Sequence, residues 1–151
     1  MKGEWMTQVI VTGGAGYIGS HVCKALAADG FQPVTVDDLS AGYRWAVRWG
    51  PFEMVDVRDT SKLEEVFERY RPVGVLHFAA RIEVADSVRR PLTYYNNNVG
   101  GLISVMECMT RHGVQNLVFS STAAVYGEPA FVPVPEHAQV RPENPYGASK
   151  S

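Results

Sequence analysis

Cysteine is scarce: Cys23 and Cys108 are the only two in 151 residues. Both fall in segments that read as helices, so small buried thiols are expected in place of a disulfide, and with them a reduced, cytoplasmic setting. Charge of one sign is also lacking. Lys and Arg number 14 against 16 Asp and Glu, a formal net charge of −2 with no basic block, which removes the electrostatic footprint of a nucleic-acid-binding protein. No apolar run approaches a membrane span, and the N-terminus carries no signal-peptide pattern. There is no internal repeat, no low-complexity linker and no expected metal site. What remains is a chain 46% hydrophobic, enough for a sizeable core in a single domain.

The stretch from Gln8 to Ser20 organises the chain. Val9-Ile10-Val11 suits a strand buried on both faces. A run of glycines follows, and then Ile18, Val22 and Leu26 at four-residue spacing, one face of a helix. Gly14-x-Gly16-x-x-Gly19 matches the dinucleotide fingerprint, and Gly13-x-x-Gly16-x-x-Gly19 matches a variant register at the same place. Strand, glycine turn and helix N-terminus together bring backbone N–H groups and a partial positive charge to a pyrophosphate.

The helix is expected over Tyr17–Ala28, closed by Gly30, with a second strand at Val34–Val36. Asp37 and Asp38 follow it. Asp37 lies 18 residues past Gly19, where a carboxylate accepts from the adenosine ribose hydroxyls and repels a 2′-phosphate, favouring NAD over NADP. The bland alternative is a helix cap or turn aspartate. Leu39–Gly50 reads as a loop with one helical turn, in which Trp45 and Trp49, four apart, are expected to pack at the core or its edge. A third strand is expected at Phe52–Val55, then Asp56 in position to meet the adenine amino group, and Asp59 or Thr60 as cap of a helix with Leu63, Val66, Phe67 and Tyr70 on its apolar face.

Val73–Phe78 reads as a fourth strand, ending in the small Ala79 and Ala80. A short helix is expected over Glu83–Arg90, then one long helix over Pro91–His112 with Leu92, Tyr95, Val99, Leu102, Ile103, Met106 and Met109 spaced for burial. Its apolar face either pairs subunits in a homodimer or covers the sheet. Asn96, Asn97 and Asn98 sit inside it, poor helix formers of which at least one is expected to meet a polar partner. Asn116–Phe119 is a fifth strand running into Ser120-Ser121-Thr122, and Glu128–Glu143, with four prolines, is an irregular loop before a helix opening at Asn144. Strands alternating with helices give an α/β, Rossmann-like, doubly wound parallel sheet of order 3-2-1-4-5. The glycine turn, Asp37, Asp56, Ala79-Ala80 and Ser120–Thr122 all fall at strand carboxyl ends, where such sheets bind ligands.

Tyr146-x-x-x-Lys150 places a phenol and an ammonium on one helix face. A cationic Lys150 favours the phenolate and lowers the Tyr146 pKa from the usual ~10 toward working pH. Lys150 also reaches the nicotinamide ribose, while Thr122 holds a substrate hydroxyl. By itself the Tyr–Lys spacing is commonplace; beside a dinucleotide fingerprint it reads as redox chemistry at a carbinol.

Linked pieces from Val9 to Lys150 resemble the N-terminal part of the extended short-chain dehydrogenase/reductases, most closely the UDP-glucose 4-epimerases. The pieces are Thr12–His21, Asp37–Ser40, Asp56–Asp59, His77–Ala80, Ser87-Val88 with Pro91-Leu92, Tyr94–Val99, Ser120–Gly127 and Pro145–Lys150. The resemblance implies that Gly13, Gly16, Tyr17 and Ile18 meet the pyrophosphate of NAD, Asp37 and Asp38 the adenosine ribose, and Asp56 and Val57 the adenine. It places Phe78, Ala79, Ala80 and Asn97 along the path to nicotinamide, with Thr122, Tyr146 and Lys150 as the catalytic set. It implies that Tyr146 takes the proton of the sugar 4-hydroxyl of a UDP-sugar, that a 4-keto sugar turns over, and that NAD is regenerated. Relatives that dehydrate nucleotide sugars carry acidic residues just after the strand-five hydroxyl; here those positions are Ala123 and Ala124. Some epimerases carry a cofactor-contacting Lys where this chain has Ile82.

The family's C-terminal half completes the sheet and grips the nucleotide sugar, whereas this sequence stops one residue past Lys150. Residues 7–151 are therefore expected to be an incomplete NAD-binding domain lacking its substrate domain, with 1–6 an N-terminal extension. They are expected to have little or no epimerase activity alone and weakened NAD affinity. A nucleotide-sugar dehydratase or reductase, and a NAD-binding module without turnover, are the alternative readings.

Overall fold

Strands and helices alternate along the chain in the order that the sequence implies. The structure is a computed structural model that describes residues 7–151; the expected extension 1–6 lies outside the described residues. In chain order the elements are β1 (Gln8–Thr12), α1 (Tyr17–Ala28), β2 (Gln32–Val36), β3 (Phe52–Glu53), α2 (Thr60–Tyr70), β4 (Gly74–His77), α3 (Val84–Arg89), α4 (Pro91–Tyr94), α5 (Gly101–Arg111), β5 (Asn116–Phe119) and α6 (Pro145–Ala148). A π-helical turn, Tyr95–Gly100, joins α4 to α5. The chain divides into two units, one of residues 7–79 and 101–119, the other of 80–100 and 120–151.

The first unit holds the sheet. All pairings are parallel and the order is β3-β2-β1-β4-β5, the doubly wound arrangement that the alternation implies. Register sets the site: Thr12 lies opposite both Val36 and His77. The residues that follow, Gly13, Asp37 and Phe78, therefore leave three neighbouring strands at one level. Ile10, Val34 and Val75 from the sheet pack with Leu63 and Phe67 of α2 and Val105 of α5 in one core cluster. Each such side chain contributes about 1.5–3 kcal/mol on burial. Asp59 caps α2, accepting from the Lys62 N–H at 3.1 Å, and Gly30, at φ +83°, closes α1 as expected. Both cysteines are buried free thiols; burial, chiefly, pushes the Cys108 thiol up to about 12.

Several local expectations are corrected. On α1 the buried positions are Gly19 and Cys23, while Ile18 is exposed; the inward face is turned by one residue because the helix start packs through glycine. β3 pairs through only two residues, Phe52 and Glu53, and does not extend to Val55 as expected. Trp45 and Trp49 are both exposed, and Trp45 stacks on Tyr43 with ring centroids 5.7 Å apart.

The helix expected over Pro91–His112 is helical from Pro91 to Arg111, interrupted by the π turn, but of its expected apolar positions only Met109 is buried. In the second unit Tyr94 and Asn98 are buried while Leu92, Tyr95 and Val99 are exposed; in the first, Gly101, Val105, Cys108 and Met109 are buried while Ile103 and Met106 are exposed. A Cβ on Gly101 would stand 2.7 Å from Cγ2 of Val57, so close backbone approach, rather than apolar bulk, decides which side of α5 turns inward.

The second unit contains α3, α4, the π-helical turn, a 3₁₀ turn at Ala123–Tyr126, and α6. Tyr94 anchors it, donating its hydroxyl to the Glu83 carbonyl at 2.7 Å. Arg90 forks onto Asp86 at 2.9 and 2.8 Å.

Candidate functional site

The glycine turn is built by what it excludes. Gly13 has φ +68°, and a Cβ there would lie 2.6 Å from the Ala79 nitrogen. A Cβ on Gly19 would lie 2.2 Å from the Gly13 carbonyl oxygen, so the first turn of α1 rests directly on the loop it follows. Gly13 donates to the Val36 carbonyl at 2.8 Å and accepts from the Gly16 N–H at 3.1 Å. Gly16 is the N-cap of α1, the helix start takes no side-chain cap, and its first turn carries no acidic residue. Tyr17 and Ile18 are exposed at that start. A helix N-terminus without cap or carboxylate keeps its partial positive charge for an anion.

Asp37, directly after β2, is buried and serves the turn from the other side. Its Oδ2 accepts from the Ala15 N–H at 3.0 Å and its Oδ1 from the Leu39 N–H at 2.8 Å. Burial pushes its carboxyl above the usual range, against the two N–H bonds. Asp38 is exposed and accepts from the Ser40 N–H at 2.9 Å. The turn-aspartate alternative thus holds for Asp37, and Asp38 makes a turn bond of the same kind. Asp56 lies three residues past β3, gripped by Arg58, and Val57 is buried in the core cluster. Phe78 donates its N–H to the Thr12 carbonyl at 3.0 Å.

Sequence reasoning did not find the buried pair beneath this edge. Thr12 Oγ1 and His77 Nδ1 share a 2.7 Å hydrogen bond, and the Ala79 N–H reaches Thr12 Oγ1 at 3.4 Å. The pair joins the carboxyl ends of β1 and β4. Its one sequence signal is a polar residue closing each of two apolar runs.

In the second unit, Thr122 caps the 3₁₀ turn, its Oγ1 accepting from the Ala124 N–H at 3.2 Å. That bond uses an acceptor lone pair and leaves the O–H as a donor. Asn144 caps α6 by accepting from the Gly147 N–H at 2.8 Å. Gly147 lies against the strand-five extension, where a Cβ would stand 2.6 Å from the Ala124 carbonyl oxygen, and Ser121 donates to the Lys150 carbonyl at 2.7 Å. These contacts bring the segments of Thr122, Tyr146 and Lys150 together. Lys150 is 4% exposed, and burial lowers its ammonium to about 8.

Of the three asparagines, Asn98 is the buried one and meets the polar partners. Its Oδ1 accepts from the Arg81 N–H at 2.8 Å and from Asn97 Nδ2 at 3.1 Å, and its Nδ2 donates to the Arg81 carbonyl at 3.1 Å and to Ser149 Oγ at 2.8 Å. Ser149 in turn donates to the Tyr146 carbonyl at 2.8 Å. Asn98 therefore braces Asn97 on one side and the Tyr146–Lys150 turn on the other. None of the residues expected from the sequence to meet cofactor or substrate lines the groove of about 450 Å³ on α2 and α5, which is bordered by Glu64, Glu65, Glu68, Glu107 and Arg111 among others. Among the described residues no cluster of His, Cys, Asp and Glu could hold a metal ion.

Comparison with known proteins agrees with this geometry. The chain is 50% identical over 151 residues to UDP-glucose 4-epimerase of Rhizobium leguminosarum bv. trifolii, covering 99% of this chain and 45% of the relative. Its structure matches that of UDP-glucose 4-epimerase from Brucella ovis in complex with NAD (TM-score 0.93, 47% identity, 95% of this chain and 44% of that one). It also matches the enzyme from Bifidobacterium longum in complex with NAD⁺ and UDP (TM-score 0.90, 34% identity, 95% and 46%). The chain thus spans about 45% of the length of the curated relative. The model of the NAD dependent epimerase/dehydratase family matches residues 9–151, and the chain belongs to that family.

Proposed function

We propose that residues 7–151 are the NAD-binding part of a UDP-glucose 4-epimerase, with the UDP-sugar gripped by a substrate domain beyond this sequence and residues 1–6 as an extension. The observation that carries the reading is the glycine turn: two positions that admit no Cβ, and a capless helix start free of acid. Gly13, Gly16, Tyr17 and Ile18 would hold the pyrophosphate, Asp37 and Asp38 the adenosine ribose, Asp56 and Val57 the adenine. Phe78, Ala79, Ala80 and Asn97 would line the way to nicotinamide.

Bound NAD supplies a hydride acceptor and donor for C4 of the sugar and is not consumed. Tyr146 removes the proton of the 4-hydroxyl and returns it to the oxygen of the 4-keto sugar after the ring has presented its other face. Thr122 donates to the same oxygen and fixes its distance from Tyr146. Lys150 supplies positive charge to the phenolate and a donor to the nicotinamide ribose. Ala123 and Ala124 carry no acid for elimination, which favours epimerisation over dehydration. A homodimer is part of the proposal, supported by the exposed Leu92, Tyr95 and Val99 in one unit and Ile103 and Met106 in the other. The setting proposed is cytoplasmic, in galactose metabolism; no described helix is long and apolar enough to cross a membrane.

The test is turnover of UDP-galactose by the whole protein carrying this sequence. Interconversion with UDP-glucose without net NADH, lost by several orders of magnitude in Tyr146→Phe, is the expected result. Net NADH formation, or a Tyr146→Phe variant as active as wild type, would overturn the proposal.

A further inference from the structure

The turn after β3 carries a charge pair of which only the acid has a place in the proposed function. Asp56 Oδ1 accepts from the Arg58 backbone N–H at 2.9 Å, and the Arg58 guanidinium grips the same carboxylate side-on. Nε lies 2.9 Å from Oδ1 and 3.1 Å from Oδ2, and Nη2 lies 2.5 Å from Oδ2. The side chains are 40% and 33% exposed. An exposed pair of this kind contributes little to stability, because water screens it and two side chains lose freedom. What the geometry does fix is the carboxylate itself: its rotation about the Cβ–Cγ bond. The guanidinium is raised first by its bonds to Asp56, then by the charges of Asp56 and Asp38, so it stands in the field of both acids.

An ionised carboxylate only accepts hydrogen bonds. It favours a base edge that presents an amino group and disfavours one that presents an oxygen. A carboxylate free to turn away would lose that discrimination.

We propose that Arg58 is a positioning residue for cofactor specificity, holding the Asp56 carboxylate so that the site selects a 6-aminopurine dinucleotide over its 6-keto counterpart. The assignment rests on the proposed placement of adenine at Asp56. It also explains why the cation is Arg: a planar fork can fix both oxygens, whereas the point charge of Lys cannot.

Calorimetric titration of the chain with NAD and with nicotinamide hypoxanthine dinucleotide tests it. Wild type is expected to bind NAD about tenfold more tightly, the effect of one hydrogen bond to a charged group. In Arg58→Met the preference falls to within about twofold, through weaker NAD binding with the hypoxanthine compound little changed, and Arg58→Lys lies between. A preference in Arg58→Met equal to or larger than wild type overturns the assignment. Should that variant fail to fold, a wild-type preference in Arg58→Lys overturns it equally. Wild type binding both compounds equally overturns this assignment and leaves the NAD reading standing; wild type binding neither overturns the NAD reading and this assignment with it.

Discussion

Lys150 is a buried ammonium, and its cost is measurable. Burial lowers it from 10.5 to about 8, a displacement equivalent to about 3 kcal/mol between its charged and neutral forms. Between these two values the unfolded chain binds a proton that the folded chain has released, so stability must rise with pH across that window. Below pH 8 both states hold the proton and the full penalty is present; above 10.5 neither does and the penalty is gone. Lys150→Met keeps the length of the stem and removes the charge. It is expected to be more stable than wild type by up to about 3 kcal/mol near neutral pH, the difference shrinking to nothing near pH 10.5. Urea unfolding of both proteins at a series of pH values is the assay, and taking the difference cancels every other titration the two share. On the proposed mechanism the same variant is expected to abolish turnover in the whole protein, a stability–function trade at a lysine given a catalytic role there. A wild-type-minus-variant difference that does not change with pH would refute the reasoning.

Other outcomes follow from single contacts. Gly19→Ala drives a Cβ into the Gly13 carbonyl and should cost roughly 1–3 kcal/mol and NAD binding. Gly30→Ala, with φ +83° and open space around it, should cost about 1 kcal/mol and leave NAD binding intact; thermal unfolding and calorimetry read both. Asn98→Leu strands the Arg81 backbone N–H and carbonyl and removes one donor to the Ser149 hydroxyl, and is predicted to lose roughly 2–4 kcal/mol in urea unfolding. Residues 1–151 alone should show little or no turnover of UDP-galactose in a coupled assay; full turnover would defeat the placement of the sugar-binding groups outside this sequence.

The site's frame was legible because its chemistry is local. Glycines that admit no Cβ, a strand before them, a helix after them and an acid at the end of β2 lie within 30 residues of one another, and each is written in residue type. The sheet order followed from strand–helix alternation with right-handed crossovers. What escaped was contact across sequence distance. Thr12 with His77 and Asn98 with Ser149 are 65 and 51 residues apart, and no periodicity reports such pairs. The helical segment from Pro91 to Arg111 misled for a different reason. It is apolar on more than one side, and its buried side is marked by Asn98, Gly101 and Ser104, whose small size and hydrogen bonds outweigh hydrophobicity. The Asp56–Arg58 pair was readable at a spacing of two residues, but only the acid was assigned a role.

Competitive titration of the chain with NAD and NADP tests the central claim most directly, since it addresses the turn, the helix start and the two acids after β2 together. The account predicts saturable NAD binding, with NADP weaker by on the order of tenfold or more because its 2′-phosphate meets Asp37 and Asp38. Equal or tighter binding of NADP, or no binding of either, would contradict it.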